Sequence, residues 1–558
     1  MSHTNEAALT QPASLPPFLE GAGDSSEFAD LYERGMPRTV YGLLQWTARV
    51  HGQKNAWRFI DDGISRNWAQ VLEQVDRTAD TLHRLGVRKG THVAVMTSNI
   101  EAFPLCWLAL AKLGATIAPV NIAYTSREVA HALTLSESRY LLIEDTFLPI
   151  YEELQDIGIP AENVLVVGEH NGPYRSWEAE LAASKPAETA ETVEPGTLLN
   201  IQFTSGTTGF AKGCMLTHEY WMVLGVASSL LFGDVMQRIY LGQSFYYMVG
   251  QRLLMNALLM GAELIIPRKP GSKRFMPDLI TYECDYCSMF EMAYKQGLSL
   301  KEKKNVLKLA TIFGFSATTA QHFESLFDTP VQEFYGMTEI GGALYLPRDI
   351  RPTDYESGTC GIPCAFREVG VFDLEGNPVP DGQAGELCVR GAGLMLGYYR
   401  NEEASREVFR NDWFRTGDLF VKDANGHFRI VGRIKDMVRR NGENIPAQEV
   451  EAVIRMLPEV RQAAVIPVPD DYCGEEVKVY LELNDGVSRD QLPMTRVLEH
   501  ARANLAAFKV PRYYAYIDKF ELTDSLRVRK KALTEGVADL RAGAWDAKDD
   551  CWHPAQEI

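Results

Sequence analysis

The sequence predicts an α/β protein with a large N-terminal domain of doubly wound α/β subdomains and a small, mobile α+β C-terminal domain. Three observations support this fold class: helical and strand patterns alternate between residues 68 and 143, the composition changes near residues 433–444, and a shorter α+β pattern follows that change. With 558 residues, 46% of them hydrophobic, the chain is long enough to form several domains with sizeable cores.

The large domain is expected over residues 27–434, after a mobile lead-in at residues 1–26 that is rich in Pro, Ser, Ala and Gly. Apolar residues at helical spacing predict a helix from Trp68 that ends at Gly86, and Ser98 or Asn99 is expected to cap the next helix. The other elements expected in this part are helices up to residue 112 and over 127–135, strands over 92–96, 116–120 and 140–143, and an acidic linker over 184–197.

The small domain is expected over residues 435–558, with its boundary at Lys435. A basic, glycine-containing segment at residues 433–444 follows the strand-like segment Phe428–Val431, and the α+β pattern begins after it. The expected elements are helices over 447–456 and 489–505 and strands over 463–468, 477–483 and 513–517.

The charge and the apolar pattern exclude several kinds of partner. Lys and Arg number 56 against 74 Asp and Glu, a net charge of -18, which disfavours nucleic acid and anionic membranes as partners of the whole surface. Residues 1–20 lack the regions of a secretory signal, and the most apolar run, Phe103–Ala111, is too short to span a membrane. We therefore expect a cytoplasmic protein without membrane insertion, and we interpret its nine cysteines as reduced thiols rather than a zinc site.

A loop rich in glycine and hydroxyl groups, TSGTTGFAKG, covers residues Thr204–Gly213. Apolar residues alternate with polar ones before it, over 199–203, and a second apolar segment follows at 214–216, so we expect the loop to lie between two strands. Its glycines allow close backbone approach, and its hydroxyls, N–H groups and Lys212 suit the phosphates of a polyphosphate. A polar hairpin is the alternative on composition alone. A Walker A loop is a poor match, because Gly213 rather than Ser or Thr follows Lys212.

The loop resembles the signature of the adenylate-forming superfamily, which includes acyl-CoA synthetases, nonribosomal peptide adenylation domains and luciferases. Further segments are similar to motifs of this superfamily in order and spacing, and the similarity spans about residues 40 to 535. These segments are YGMTE at 335–339, GEL at 385–387, GYY at 397–399, RTGDL at 415–419 and GRIKDM at 432–437.

The resemblance implies an ATP-dependent carboxylic acid–CoA ligase that forms an acyl-AMP, releases pyrophosphate and transfers the acyl group to coenzyme A. It implies ATP, Mg²⁺ and coenzyme A as cofactors and a small carboxylic acid as the partner, with no nucleic acid; a homodimer stays open. Two alternatives remain: a stand-alone adenylation domain that loads a carrier protein in trans, and a catalytically weak nucleotide-binding or acyl-binding member.

The resemblance also implies a role for each motif residue. In the phosphate loop, the implied ligands of the β- and γ-phosphates are Thr204, Ser205, Gly206, Thr207, Thr208, Gly209 and Lys212. Thr338 would contact phosphate and Glu339 would hold Mg²⁺. Asp418 would accept the ribose hydroxyls and Arg433 would donate to the nucleotide, while the adenine would lie between Tyr335 and the segment that contains Phe315 and Ser316.

A domain rotation between the two half-reactions is implied at Lys435. The following loop, with Gly442 and Glu443, would line the tunnel for the pantetheine group. Arg439 could meet the phosphates of coenzyme A, and a solvated basic face is the alternative.

The resemblance implies that the segment before the Gly250–Gln251 pair forms part of the acyl site. Family members often carry a histidine there, and this chain has Tyr247. Residues Arg252 and Glu291 could add a pocket for an acid with a second polar group, and a plain aromatic core patch is the alternative. The segment RRNGENI at residues 439–445 loosely resembles the corresponding segment of carnitine-CoA ligases. The candidate substrate residues are Tyr246, Tyr247, Gln251, Phe315, Gly336 and Met337.

The C-terminal segment departs from the family pattern. Members usually have T-x-S-G-K there, with the lysine acting in adenylation, and this chain aligns as Thr523, Ser525, Leu526 and Arg527. We expect Arg527 to replace the lysine, because a guanidinium can also stabilise negative charge; Lys530 in a shifted register is the alternative. The expected catalytic residues are therefore Lys212, Thr338, Glu339, Lys435 and Arg527.

Overall fold

A computed structural model describes most of the chain in two compact units. The described residues are 15–22, 27–154, 157–185, 192–204, 211–288, 306–313, 317–350, 359–440, 443–470, 473–505, 507–522 and 528–554. The large unit comprises Met1–Val369 and Val389–Phe414, and the small unit comprises Gly370–Cys388 and Arg415–Ile558.

The α-helices of the described residues are distributed over both units. They are α1 Phe28–Glu33, α2 Val40–His51, α3 Trp68–Arg84, α4 Ala102–Leu113, α5 Ser126–Leu135, α6 Leu148–Glu152, α7 Trp177–Ala182, α8 His218–Phe232, α9 Met248–Met260, α10 Ser272–Thr281, α11 Ala317–Phe327, α12 Glu402–Val408, α13 Ala447–Ile454 and α14 Met494–Asn504.

The strands of the first half of the chain belong to the large unit. They are β1 Asn55–Phe59, β2 Ile64–Asn67, β3 His92–Met96, β4 Thr116–Pro119, β5 Tyr140–Glu144, β6 Val164–Val167, β7 Arg175–Ser176, β8 Leu198–Thr204, β9 Lys212–Thr217, β10 Arg238–Tyr240, β11 Glu263–Ile266, β12 Tyr286–Ser288, β13 Leu309–Ile312, β14 Val331–Met337, β15 Gly341–Tyr345 and β16 Thr359–Pro363.

The later strands follow the same chain order. They are β17 Arg367–Phe372, β18 Ala384–Gly391, β19 Phe409–Arg410, β20 Trp413–Lys422, β21 Phe428–Arg433, β22 Met437–Arg440, β23 Glu443–Pro446, β24 Val460–Asp470, β25 Gly474–Leu483, β26 Tyr513–Tyr516, β27 Trp545–Asp546 and β28 Cys551–Trp552.

One sheet of the large unit has the strand order β7-β6-β5-β3-β4-β8-β9. Its strands are parallel from β7 to β8, and β9 pairs antiparallel with β8. Helix α3 precedes β3, and its N-cap is Asn67, whose side chain forms a capping box with Gln70. It ends near Gly86, which has a φ of +104°, a conformation that favours glycine. Alternating helices and parallel strands therefore build this sheet as the sequence predicts.

A second sheet of the large unit runs in the order β16-β15-β14-β13-β12-β10-β11-β1-β2. Strands β10 to β14 are mutually parallel in this order, so their carboxyl ends lie at one edge. Strand β12 ends at Ser288, β13 at Ile312, and β14 leads directly into Thr338. Ligands of open α/β sheets bind outside this edge, so the topology places the YGMTE motif where a ligand is expected.

The small unit contains an antiparallel pair, β20 and β21, and a sheet in the order β23-β22-β25-β26-β27-β28, with β24 on β25. Helices α13 and α14 cover this sheet through apolar residues such as Val450 and Val497. The predicted helix over 489–505 is divided into a short 3₁₀ turn, Arg489–Gln491, and α14. Pro493 is the N-cap of α14, which agrees with its lack of an N–H donor.

The fold-class prediction is confirmed, since the described chain is α/β with a large N-terminal part and a smaller C-terminal part. Within the lead-in, residues 1–14 and 23–26 lie outside the described residues, whereas Phe18 and Leu19 are buried. No described helix combines the length and the apolar character needed to cross a membrane. The expected cap of α4 is wrong: Glu101 precedes the helix, and Ser98 bonds instead to Glu144.

Candidate active site

The hairpin of β8 and β9 holds the two ends of the phosphate loop. Thr204 and Lys212 are register partners across this pair, so the intervening segment starts and ends on neighbouring strands. The predicted loop between two strands is therefore present. The predicted phosphate ligands Ser205, Gly206, Thr207, Thr208 and Gly209 lie outside the described residues.

Backbone hydrogen bonds hold the GYY segment against β9. The N–H of Met215 donates to the Gly397 carbonyl over 3.0 Å, and the N–H of Tyr399 donates to the Gly213 carbonyl over 2.7 Å. An isolated antiparallel bridge also pairs Cys214 with Tyr398. These bonds place the side chain of Tyr398 beside the end of the phosphate loop.

Three motifs meet at a cluster of Lys212, Glu339 and Tyr398, which we call the phosphate-site triad. The Lys212 ammonium lies 4.7 Å from the centre of the Tyr398 ring, a cation–π contact. The Tyr398 hydroxyl donates to Glu339 Oε1 over 3.0 Å. The triad therefore holds a cation over the face of one aromatic ring and a carboxylate at the hydroxyl of that ring.

The triad is largely removed from solvent. Glu339 is 7% exposed and Tyr398 is also buried. Burial raises the pKa of Tyr398, and the negative charge of Glu339 raises it further. The phenol therefore stays protonated at neutral pH and donates to the carboxylate, which fixes the orientation of Glu339.

The turn that carries Thr338 and Glu339 connects β14 to β15 and is held from three sides. The Tyr220 hydroxyl donates to the Thr338 carbonyl over 2.9 Å, and the N–H of Met395 donates to the Glu339 carbonyl over 2.9 Å. A Cβ on Gly336 would lie 2.1 Å from the carbonyl oxygen of Gly341, so glycine is required there. The sequence motif thus reflects packing of the turn as well as chemistry.

Arg367 is a buried residue that sequence analysis missed. Its guanidinium donates to the carbonyls of Ile340 over 2.8 Å and Gly342 over 3.1 Å, and it also bonds to the carbonyl of Ala392. Burial lowers its pKa to about 10. No pattern near Arg367 indicates this role, because its carbonyl partners lie about 25 positions away along the chain on either side.

The remaining candidates of the large unit are partly described. Tyr335 is half-buried in β14, and Phe315 and Ser316 lie outside the described residues. The rings of Tyr246 and Tyr247 lie 4.7 Å apart, and Tyr247 is 41% exposed while its hydroxyl accepts from Asn121 over 3.1 Å.

The amide of Gln251 belongs to a buried network. It accepts from Asn200 over 2.7 Å and donates to the carbonyl of Phe245 over 2.9 Å. In the same network Gln202 donates to the carbonyl of Tyr246 over 2.7 Å. This network fixes the backbone that carries the tyrosine pair. Met337 and Gly336, at the end of β14, are half-buried.

In the small unit, Asp418 and Arg433 form an ion pair. They are register partners on β20 and β21, and Arg433 Nε lies 3.0 Å from Asp418 Oδ1. Asp418 is 5% exposed. Glu386 of the GEL motif accepts from the N–H of Gly417 over 3.0 Å and from Arg415 Nε over 2.7 Å. The GEL and RTGDL motifs therefore fold together and orient the Asp418 carboxylate.

The described candidates of the C-terminal part are Lys435, Arg439 and Lys530. Lys435 lies in a 3₁₀ turn, Ile434–Asp436, and Arg439 pairs with Asn444 in the register of β22 and β23. Gly442 and Arg527 lie outside the described residues, as does the side chain of Glu443. Lys530 Nζ lies 2.6 Å from Glu451 Oε1 and 3.7 Å from Asp436 Oδ2, so its charge is paired within the small unit.

The fold and the triad bring a buried carboxylate and an ammonium together beside the carboxyl edge of a parallel sheet, where ligands of open α/β proteins bind. The sequence pattern of AMP-binding enzymes matches residues 44–399, more than half of the chain, and that of their C-terminal domain matches residues 449–526. The chain therefore belongs to the AMP-binding enzyme family. The predictions of the adenylate-forming superfamily and of an AMP-forming acid–thiol ligase are confirmed.

Similar proteins agree in length and fold. The crotonobetaine/carnitine–CoA ligase of Proteus mirabilis (strain HI4320) is 28% identical over 486 residues, which cover 84% of this chain and 92% of that protein. ATP-bound MatB from Rhodopseudomonas palustris has a TM-score of 0.78 at 24% identity, covering 88% of this chain and 98% of that chain. The o-succinylbenzoate CoA synthetase MenE from Bacillus subtilis, in complex with the acyl-adenylate intermediate OSB-AMP, has a TM-score of 0.77 at 22% identity, covering 89% and 98%. The two structural matches show a shared fold.

Proposed function

We propose that this protein is an ATP-dependent carboxylic acid–CoA ligase that forms an acyl-adenylate, releases pyrophosphate and then makes the thioester of coenzyme A. One observation carries the proposal: three separate motifs meet in the phosphate-site triad, where Lys212 suits phosphate oxygens and Glu339 suits a divalent cation. The similarity to CoA ligases supports the same reaction, and one similar structure holds an acyl-adenylate.

In the first half-reaction, a carboxylate oxygen of the acid attacks the α-phosphorus of ATP. The new O–P bond forms while the bond from the α-phosphorus to the bridging oxygen of pyrophosphate breaks, and pyrophosphate leaves with the electron pair. Lys212 and the loop over 204–209 hold the β- and γ-phosphates, and Thr338 contacts phosphate. Such a reaction depends on positioning and on stabilisation of the developing charge.

The donor set of the triad fits Mg²⁺. Glu339 provides a buried carboxylate whose Oε1 accepts from Tyr398, and Mg²⁺ takes oxygen ligands. The ion, when bound there, would neutralise negative charge on the phosphates. Tyr398 keeps the carboxylate in one orientation, and Lys212 supplies a further positive charge.

The nucleoside is held by the residues that the family motifs assign to it. Asp418 accepts the ribose hydroxyls, and Arg433, its ion-pair partner, orients that carboxylate and donates to the nucleotide. Tyr335, with Phe315 and Ser316, holds the adenine. Because Glu386 fixes the turn that contains Gly417, the ribose site is preformed before the nucleotide binds.

In the second half-reaction, the thiolate of coenzyme A attacks the acyl carbonyl carbon. The S–C bond forms, the bond between that carbon and the phosphate oxygen breaks, and AMP leaves. Lys435 is the hinge of the domain rotation that admits the thiol. Gly442 and Glu443 line the pantetheine tunnel, and Arg439 meets the phosphates of coenzyme A.

The acid lies near Tyr246, Tyr247, Gly336 and Met337. Crotonobetaine and carnitine, in the name of one relative, each carry a quaternary ammonium group besides the carboxylate. The rings of Tyr246 and Tyr247 lie 4.7 Å apart in this region. Acids with a second polar group are therefore the first class to screen.

The test is pyrophosphate release across a panel of carboxylic acids, with and without coenzyme A, together with mass detection of the thioester. We expect release that requires an acid and a thioester that requires coenzyme A, with both lost in Glu339→Gln. Acid-dependent release without consumption of coenzyme A would favour a carrier-loading adenylation domain. Absence of acid-dependent release would favour a nucleotide-binding or acyl-binding member without catalysis.

A further inference from the structure

A guanidinium with neutral partners is buried at the end of the large unit's second sheet. Arg252 of α9 is 1% exposed. Its Nη2 donates to Ser288 Oγ over 2.6 Å, its Nη1 lies 3.5 Å from Asn256 Oδ1, and its Cζ lies 5.5 Å from the centre of the Phe334 ring. None of these partners is charged, and within the described part of the chain no carboxylate forms an ion pair with Arg252.

Other buried cations of the large unit are compensated. Lys112 lies 2.8 Å from Asp76 Oδ1, and Arg367 uses its N–H groups on backbone carbonyls of two loops. A guanidinium has five N–H donors, and Arg252 uses two nitrogens on neutral side chains. Burial of a guanidinium without an opposite charge costs free energy, and a bound anion would offset that cost.

The position of Arg252 relates it to the candidate acyl site. Ser288 is the last residue of β12, and Phe334 directly precedes Tyr335 in β14, so the guanidinium lies at the carboxyl edge of the parallel strands. Arg252 also follows Gln251, whose amide network holds the backbone of Phe245 and Tyr246. The guanidinium therefore lies on α9, which carries Gln251, and beside β14, which carries Gly336 and Met337.

We infer that Arg252 binds a second anionic group of the acid substrate, so that the preferred substrates are dicarboxylic acids. This inference rests on the proposed function and narrows its substrate class. The planar guanidinium matches a carboxylate with two parallel hydrogen bonds, which a neutral acid cannot use. The same charge repels a quaternary ammonium group, so acids of the carnitine type are disfavoured.

The test compares matched acids on the full-length enzyme and on the variants Arg252→Gln and Arg252→Lys. Each dicarboxylic acid, succinate, glutarate or adipate, is paired with its monomethyl ester, and 4-(trimethylammonio)butanoate is the cationic acid. Acid-dependent pyrophosphate release gives kcat/KM. We expect the wild type to prefer each dicarboxylate over its ester by about 10- to 100-fold, Arg252→Gln to lose this preference, and Arg252→Lys to keep part of it.

Thr47→Val is the structural control. Thr47 is buried on α2, and its hydroxyl donates to the carbonyl of Leu258 on the same helix as Arg252, so this variant should lower the melting temperature without changing the ranking of acids. A role of Arg252 in packing alone would give the same result for Arg252→Gln, and that outcome would overturn the inference. A wild type that prefers the esters or the cationic acid would also overturn it, whether or not the variants fold.

Thermal shifts measured with the acids alone separate this inference from the proposed function. If no acid supports pyrophosphate release, the ligase proposal fails. Stabilisation of the wild type by dicarboxylates but not by their esters, lost in Arg252→Gln, would still support the anion site. Equal shifts for wild type and variant would overturn it.

Discussion

The Tyr398 hydroxyl donates a hydrogen bond to the Glu339 carboxylate over 3.0 Å, although the two residues are 59 positions apart in the chain. The same tyrosine ring lies under the Lys212 ammonium. Tyr398 thus joins the end of the phosphate loop to the YGMTE turn, and its hydroxyl helps to orient the carboxylate.

Replacement of Glu339 by Gln should reduce pyrophosphate release by about 10²- to 10³-fold, because the variant keeps the hydrogen-bond geometry but loses the negative charge at the proposed Mg²⁺ site. Steady-state pyrophosphate assays and a melting curve check this. Tyr398→Phe is the matched variant: it keeps the ring below Lys212 and removes only the donor, so we expect a smaller loss, about tenfold. Near-normal release by Glu339→Gln would contradict its role.

Replacement of Lys435 by Pro should slow thioester formation far more than acyl-adenylate formation. Proline fixes φ near about -65°, and a hinge must change its backbone dihedrals between the half-reactions. Single-turnover measurements of each half-reaction, with Lys435→Ala as the control that removes only the side chain, give the two rates. An equal loss of both rates in Lys435→Pro would argue against a hinge at this residue.

Replacement of Arg527 by Ala should reduce acyl-adenylate formation by about 10²-fold or more, while thiolysis of supplied acyl-adenylate is retained. Lys530→Ala is the comparison. Because Lys530 is paired with Glu451 and Asp436, its removal should change the stability of the small unit rather than adenylation. Loss of adenylation in Lys530→Ala but not in Arg527→Ala would show that the alignment of this segment is shifted.

The buried His218 should make stability depend on pH. Burial lowers its pKa to about 3, and its Nδ1 accepts from the N–H of Val40 over 3.2 Å, so the folded state keeps it neutral. Below about pH 6.5 the unfolded chain binds a proton that the folded state does not, and the free energy of unfolding falls by at most about 1.4 kcal/mol per pH unit. This loss continues as the pH falls towards the folded pKa.

Urea unfolding at pH 7.5, 6.0 and 5.0 measures this effect. We expect a shallower loss of stability in His218→Gln than in the wild type, and a wild-type slope in the exposed control His322→Gln. Parallel slopes for the wild type and His218→Gln would contradict neutral burial of His218.

Helices and strands such as α3 and β8 could be predicted because the residues that mark them lie within or next to each element. The capping residues and the glycine near the end of α3 mark its bounds, and alternating apolar residues mark β8 before the phosphate loop. The predicted cap of α4 was wrong because of a tertiary contact. The Ser98 hydroxyl donates a hydrogen bond to Glu144, which lies 46 positions away in the chain. A long-range partner therefore overrides the local propensity of serine.

The sequence could predict the motifs of the candidate active site but not the contacts between their side chains. The sequence identifies Glu339 and Asp418 through the motifs that contain them, and the structure adds Tyr398 and Arg433 as their bonding partners. Arg252 was a candidate for a pocket that holds a second polar group, but only the structure shows that its described hydrogen-bond partners are neutral. Such pairings depend on sheet order and register, which the sequence pattern does not encode locally.

The measurement that tests the central claim most directly is the transfer of oxygen from the acid to AMP. An acid that the panel selects is labelled with ¹⁸O in its carboxylate, and AMP is analysed by mass spectrometry after one turnover with ATP and coenzyme A. An acyl-adenylate mechanism predicts one ¹⁸O atom in the AMP, together with pyrophosphate and the acyl-CoA. Unlabelled AMP, or formation of ADP and phosphate instead, would contradict it.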